Sequence, residues 1–155
     1  MDGIDIGHLR RCIALAAEAA ERGDQPFGSV LVDRDGSVLA ERRNEVRTTG
    51  DRTAHPELAL ASWASRQLEP EECAAATMYT SGEHCAMCAA AHVWAGIGRL
   101  VFVLSSGMIR TLVEPGRTSI AIESREVIER SSVDVQVEGP CDELAAEAMA
   151  LFQRR

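Results

Sequence analysis

The chain of 155 residues is 46% hydrophobic and 26% charged with a net charge of −8, a balance that predicts one globular domain over 1–155 and disfavours a partner held mainly through phosphates. All 16 basic residues are arginine, so chemistry that needs a Schiff-base or phosphate-loop lysine is excluded. No apolar run approaches the ~18 residues of a membrane span, and the acidic start Met1-Asp2-Gly3-Ile4-Asp5 lacks a secretory pattern; a cytoplasmic protein away from the membrane is expected.

Apolar residues recur at helical spacing over 4–22 (Leu9, Cys12, Ile13, Ala16, Ala20), and Gly23 closes that helix. Ser29-Val30-Leu31-Val32 reads as a buried strand, Asp35-Gly36 as a hairpin turn, and 37–43 as the returning strand. After a polar loop the spacing predicts a helix over 55–68, stopped near Pro70. A short strand over 76–80 runs into Ser81-Gly82, and a second helix over 85–95 ends at Gly96. The apolar run 100–104 is a strand of the kind buried on both faces. Residues 133–137 alternate in strand fashion, 141–153 form a closing amphipathic helix, and 105–132 carry no predicted element. Strands interleaved with helices predict a layered α/β domain.

The five cysteines are odd in number with one close pair, Cys85 and Cys88, unlike a secreted disulfide scaffold. A reducing compartment is expected, with that pair available for metal or redox work. Cys12, Cys73 and Cys141 read as small buried hydrophobes, and Trp63 and Trp94 as core residues on apolar helix faces. His8 also reads as structural.

Two helix starts carry the chemistry: Thr53-Ala54-His55-Pro56-Glu57, and Cys85-Ala86-Met87-Cys88 directly after a strand and turn. A neutral imidazole and two thiolates are good zinc ligands, and three protein ligands leave a fourth position for water. Cysteines at the start of a helix face its positive dipole end, which favours thiolate. Glu57, two residues from His55, then stands where a proton carrier is needed.

In this order and setting the two motifs match the H-x-E…C-x-x-C signature of zinc deaminases. The chain resembles the cytidine deaminase-like superfamily, within it the guanine deaminase and transfer-RNA adenosine deaminase branch. The blocks that carry the likeness are Pro26-Phe27-Gly28-Ser29-Val30, Asn44-Glu45-Val46, Thr53 to Glu57, Thr80-Ser81-Gly82-Glu83-His84-Cys85-Ala86-Met87-Cys88, and Trp94-Ala95-Gly96-Ile97-Gly98-Arg99. The resemblance implies a three-layer α/β/α fold with a mixed sheet of about five strands. It implies Zn2+ held by His55, Cys85 and Cys88, with Glu57 as the catalytic proton shuttle. It also implies hydrolytic deamination of a nucleobase, nucleoside or related amino-heterocycle, guanine-type favoured, by a homodimer. Asn44 looks like the family's base-binding asparagine, Phe27 and Gly28 like its pocket lining, and Phe152 like a carboxy-terminal aromatic lid. The backbone of the stretch around Ser81 to Cys85, which holds Glu83 and His84, is implied to hydrogen-bond the substrate or leaving group.

Two positions depart from the pattern. Pro56 replaces the usual alanine inside H-x-E, at a first helical position where proline is tolerated. His84 replaces the usual proline before Cys85 and sets a second potential ligand beside the metal. His92, one turn past Cys88, makes Cys85, Cys88 and His92 a rival triad. Within the branch, Asp142, Glu143 and Glu147 against only Arg154 and Arg155 in the last segment favour a small substrate over a transfer RNA. Cytosine or cytidine chemistry stays open, as do a thioredoxin-like dithiol domain and a structural zinc protein with His84 in the fourth position.

Overall fold

The computed structural model describes residues 1–113, 116 and 118–153. Asp2 opens the first helix, α1 (Gly3–Glu21): its side chain accepts from the amides of Ile4 and Asp5, and Asp5 accepts in turn from the Asp2 amide. The hairpin follows as β1 (Gly28–Val32) and β2 (Val38–Arg43), then a short α2 (Val46–Thr49). Helix α3 (Pro56–Gln67) has Pro56 in its first turn and His55 at its N-cap. Pro70 does more than stop it. With Glu69 and Glu72 forming a capping box, Pro70 starts a further helix, α4 (Pro70–Ala75). Strand β3 (Thr77–Gly82) leads to α5 (Ala86–Ala95), closed by Gly96 at φ 74°, and then to β4 (Arg99–Leu104).

Among its described residues, the segment without predicted elements holds two helices, α6 (Ser106–Leu112) and α7 (Ser124–Glu129). Both are too short for a helical period to show above the noise. The next strand, β5 (Gln136–Glu138), is shorter than its alternation suggested. The last helix, α8 (Asp142–Ala150), passes into a 3-10 turn at Leu151–Gln153.

The strands form one sheet in the order β2-β1-β3-β4-β5, with β1 antiparallel to β2 and β3, and β3, β4 and β5 parallel. Side chains alternate across it. Val30, Val32, Tyr79, Val101 and Val103 join the α1 and α8 core, while Leu31 and Met78 face Leu60 and Ala64 of α3. On that second side α5 packs on α3, and α7 on α5, over Leu100 and Phe102. The result is a three-layer α/β/α fold. Gly28 lets α1 lie directly on β1, because a Cβ there would overlap Leu15 and the Cys12 carbonyl.

Cys12, Cys73 and Cys141 are buried and free, as expected. Trp63 is half-buried against the α3 core. Trp94 corrects the expectation of a core residue: it is 89% exposed. Helix α5 turns Cys88, Ala89 and His92 inward, and two residues past His92 the helix has rotated by ~200° to the outside. Among the described residues no helix is long and apolar enough to cross a membrane.

Candidate active site

Local bonds bring the Asn44 loop beside the start of α3. The Asn44 amide donates to the Phe27 carbonyl at 2.9 Å and the Glu45 amide to the Ala54 carbonyl at 3.1 Å. Asp24, itself buried, accepts from the amides of Arg47 and Thr48 and from the Thr48 hydroxyl, which fastens α2. The packing of α3 on α5 then sets the two helix starts together. His55 Nδ1 lies 3.5 Å from Cys88 Sγ and 3.8 Å from Cys85 Sγ.

The ligand atoms of His55, Cys85 and Cys88 all lie within 4.8 Å of one another, and among the described residues no other group of three His, Cys, Asp or Glu is so arranged. Tetrahedral zinc, with Zn–S of ~2.3 Å and Zn–N of ~2.0 Å, needs sulfur–nitrogen separations of ~3.5 Å. The donor set therefore fits zinc in type and spacing. A hydrogen bond from the Cys88 thiol, supported by His55 and opposed by burial, brings Cys85 down to about 4. Its partner Cys88, hydrogen-bonded to that sulfur and buried, is pushed well above the ordinary thiol range. His84 and His92 are elsewhere: His84 Nε2 and His92 Nδ1 are 3.3 Å apart, and both rings are buried. The rival triad with His92, and His84 as a ligand, are not assembled.

Glu57 is 5% exposed in the first turn of α3, and burial pushes its carboxyl upward. Its two oxygens have separate partners. Oε1 accepts from the Thr80 hydroxyl at 3.1 Å, and Oε2 lies 3.7 Å from Cys88 Sγ. Thr80 in turn accepts from the Ser29 hydroxyl at 2.9 Å.

Asn44 is 1% exposed; its Oδ1 accepts from the Val46 amide, while Nδ2 has no hydrogen-bond partner among the described residues. Phe27 meets Phe152 edge-on at 5.5 Å. A Cβ on Gly82 would come within 2.8 Å of the Phe27 ring and 2.9 Å of Ile109, so these side chains form an apolar wall at the end of β3. Ser81 Oγ accepts from the Gly28 amide at 3.1 Å, tying two of the expected pocket residues together. The Glu83 side chain is engaged inside the protein. Its carboxylate accepts from the Ser106 and Ser124 amides and the Ser124 hydroxyl, and its own amide donates to the Leu104 carbonyl. The His84 side chain is likewise turned into the protein. Ser29, Thr80 and Asp24 had no role assigned from sequence. Their contacts join residues far apart in the chain, and only a hydroxyl opposite a hydroxyl on paired strands could have pointed to the first two.

A family model described as the cytidine and deoxycytidylate deaminase zinc-binding region matches residues 4–104. The chain is 34% identical over 139 residues to a protein of Schizosaccharomyces pombe named "Probable cytosine deaminase", a match covering 88% of this chain and 83% of that one. It is 40% identical over 88 residues to a guanine deaminase of Bacillus subtilis, covering 56% of each chain. A solved structure from a study of tRNA:A34 deaminases superimposes with a TM-score of 0.71 at 27% identity, covering 94% of this chain and 99% of that one.

Proposed function

This chain belongs to the cytidine and deoxycytidylate deaminase zinc-binding family, and from that premise we propose that it is a single-domain hydrolytic deaminase of a free amino-substituted nucleobase, guanine-type first. The observation that carries the reading is the meeting of His55, Cys85 and Cys88 with the buried Glu57 carboxylate beside them. A dithiol redox domain gives His55 and Glu57 nothing to do. A purely structural zinc site completed by His84 would need the imidazole that is instead paired with His92.

His55, Cys85 and Cys88 would hold the zinc ion. When bound, zinc supplies the Lewis acidity that brings the pKa of a water toward neutrality. Glu57 takes that proton as oxygen adds to the ring carbon bearing the amino group. Glu57 delivers that proton to a ring nitrogen, then takes the proton of the newly added hydroxyl and passes it to the amine, so that the carbonyl forms as the C–N bond breaks and ammonia leaves. For guanine the attacked carbon lies between two ring nitrogens and the product is xanthine. Asn44, with its buried and unpartnered Nδ2, would donate to the base, and Phe27, Gly28 and Phe152 would line the pocket.

Charge supports a small substrate over a transfer RNA. Asp142, Glu143 and Glu147 are exposed on α8, and Arg154 and Arg155 lie outside the described residues. Cytosine is the second reading, favoured by the Schizosaccharomyces pombe relative whose match takes in 88% of this chain. A homodimer belongs to the same reading on the family likeness alone, and a cytoplasmic location on the odd set of five free cysteines. The test is ammonia release from guanine, cytosine, adenine, their nucleosides and a transfer RNA. Turnover of guanine is expected; turnover of the transfer RNA alone would overturn the small-substrate reading.

A further inference from the structure

Ser29 on β1 and Thr80 on β3 stand directly opposite each other in the antiparallel ladder, on the face that α3 covers. Both are 0% exposed. The Ser29 hydroxyl donates to Thr80 Oγ1 at 2.9 Å, which occupies a lone pair of that oxygen and leaves the single Thr80 proton for another acceptor. Two are in reach: the Gly28 carbonyl at 3.5 Å and Glu57 Oε1 at 3.1 Å. The carboxylate is both nearer and the stronger acceptor. With Oε1 held on this side, Oε2 is the oxygen turned toward the cysteines, 3.7 Å from Cys88 Sγ.

We infer that Thr80 is a positioning residue for Glu57, pinning Oε1 so that Oε2 faces the ligand cluster, with Ser29 orienting the Thr80 hydroxyl. This rests on the reading of Glu57 as the proton carrier, and it adds that the carboxylate's geometry is set from the sheet, across the α3 interface. A carboxylate has two equivalent oxygens and a freely turning terminal torsion. A proton carrier has to present one of them within hydrogen-bond reach of the reacting water. The Glu57 backbone amide also bonds the carboxylate; the Ser29–Thr80 pair adds a constraint on Oε1 from the sheet side.

Thr80→Val keeps the shape and removes the hydroxyl. The zinc-loaded variant is expected to fold, to retain the parent's zinc stoichiometry, and to show Glu57 displaced from its parent rotamer in a crystal structure. With guanine and cytosine assayed in parallel, kcat on the base that the parent turns over should fall by about 10- to 100-fold, the loss of one hydrogen bond to a charged group, while KM stays within about twofold. Thr80→Ser, which restores the hydroxyl, should recover most of the rate. In a Glu57→Gln background, Thr80→Val should change nothing further. Should Thr80→Val leave Ser29 unsatisfied and the fold weakened, Ser29→Ala/Thr80→Val removes both partners and serves in its place. An unmoved Glu57, zinc loss, or parent kcat in the folded variant would overturn the inference. If Glu57→Gln is itself fully active, the mechanism fails, not only the positioning role.

Discussion

Glu83 and Ser124 are joined by two hydrogen bonds, from the Ser124 amide at 3.0 Å and its hydroxyl at 2.6 Å, both to Oε1. The other oxygen accepts from the Ser106 amide at 2.7 Å. One buried side chain, two residues before Cys85, therefore ties the end of β3 to the starts of α6 and α7.

Replacing Glu83 with alanine should unfasten both helices. The donors left unsatisfied cost ~1–3 kcal/mol, read as a lower urea midpoint. Hydrogen exchange should quicken at Ser106 and Ser124 well before the central strands change. Parent exchange rates at both amides would show that the carboxylate is not what holds these segments.

Metal analysis separates the histidines. Cys85→Ala, Cys88→Ala and His55→Ala should each lose zinc, because two remaining protein ligands do not hold a catalytic site. His84→Ala and His92→Ala should keep it, since their rings pair with each other away from the thiols. Full occupancy in Cys88→Ala would refute the ligand assignment.

Glu57→Gln retains shape and hydrogen bonding but cannot accept the water proton. It should fold and bind zinc, with turnover lowered by at least the ~10²–10⁴-fold that general acid–base catalysis contributes. Glu57 stands in the first turn of α3, where a negative charge is favoured, but burial disfavours that charge and raises the carboxyl, so its removal leaves no large loss of stability to account for such a fall. A thermal midpoint measured on the same sample checks this. Turnover within threefold of the parent would discard the mechanism.

Asp5 predicts an acid limb of stability. Burial pushes its carboxyl up, but hydrogen bonds from Arg99 at 2.8 and 3.0 Å and from the Tyr79 hydroxyl at 2.7 Å outweigh burial and hold it well below the usual carboxylate range. A carboxyl lowered in the folded state stabilises fully above its unfolded pKa of ~3.9 and loses that contribution as pH falls toward the folded value. Asp5→Asn should thus be less stable than the parent at pH 7. Its urea midpoint should also change less between pH 5 and pH 3; an equally steep parent-like decline would rule out Asp5 as the source.

What the amino-acid sequence determined by itself was local. Helical spacing placed α1, α3 and α5, Pro56 and Gly96 marked a start and an end, and H-x-E with C-x-x-C at two helix starts named the donor types. Each of these depends on residues within a turn or two of one another, where capping and periodicity act. Tertiary structure decided which groups meet. His55 and not His92 joins Cys85 and Cys88, because α3 packs on α5 while His92 turns inward to His84. Trp94 is exposed because α5 buries the opposite face. The helices over 105–132 form where Glu83 gives their first amides an acceptor, a contact 41 residues distant for Ser124. The Ser29, Thr80 and Glu57 chain exists only once β1 and β3 lie in register beneath α3. A side chain's partner across such separations is set by the packing of whole layers, and no short stretch of sequence contains it.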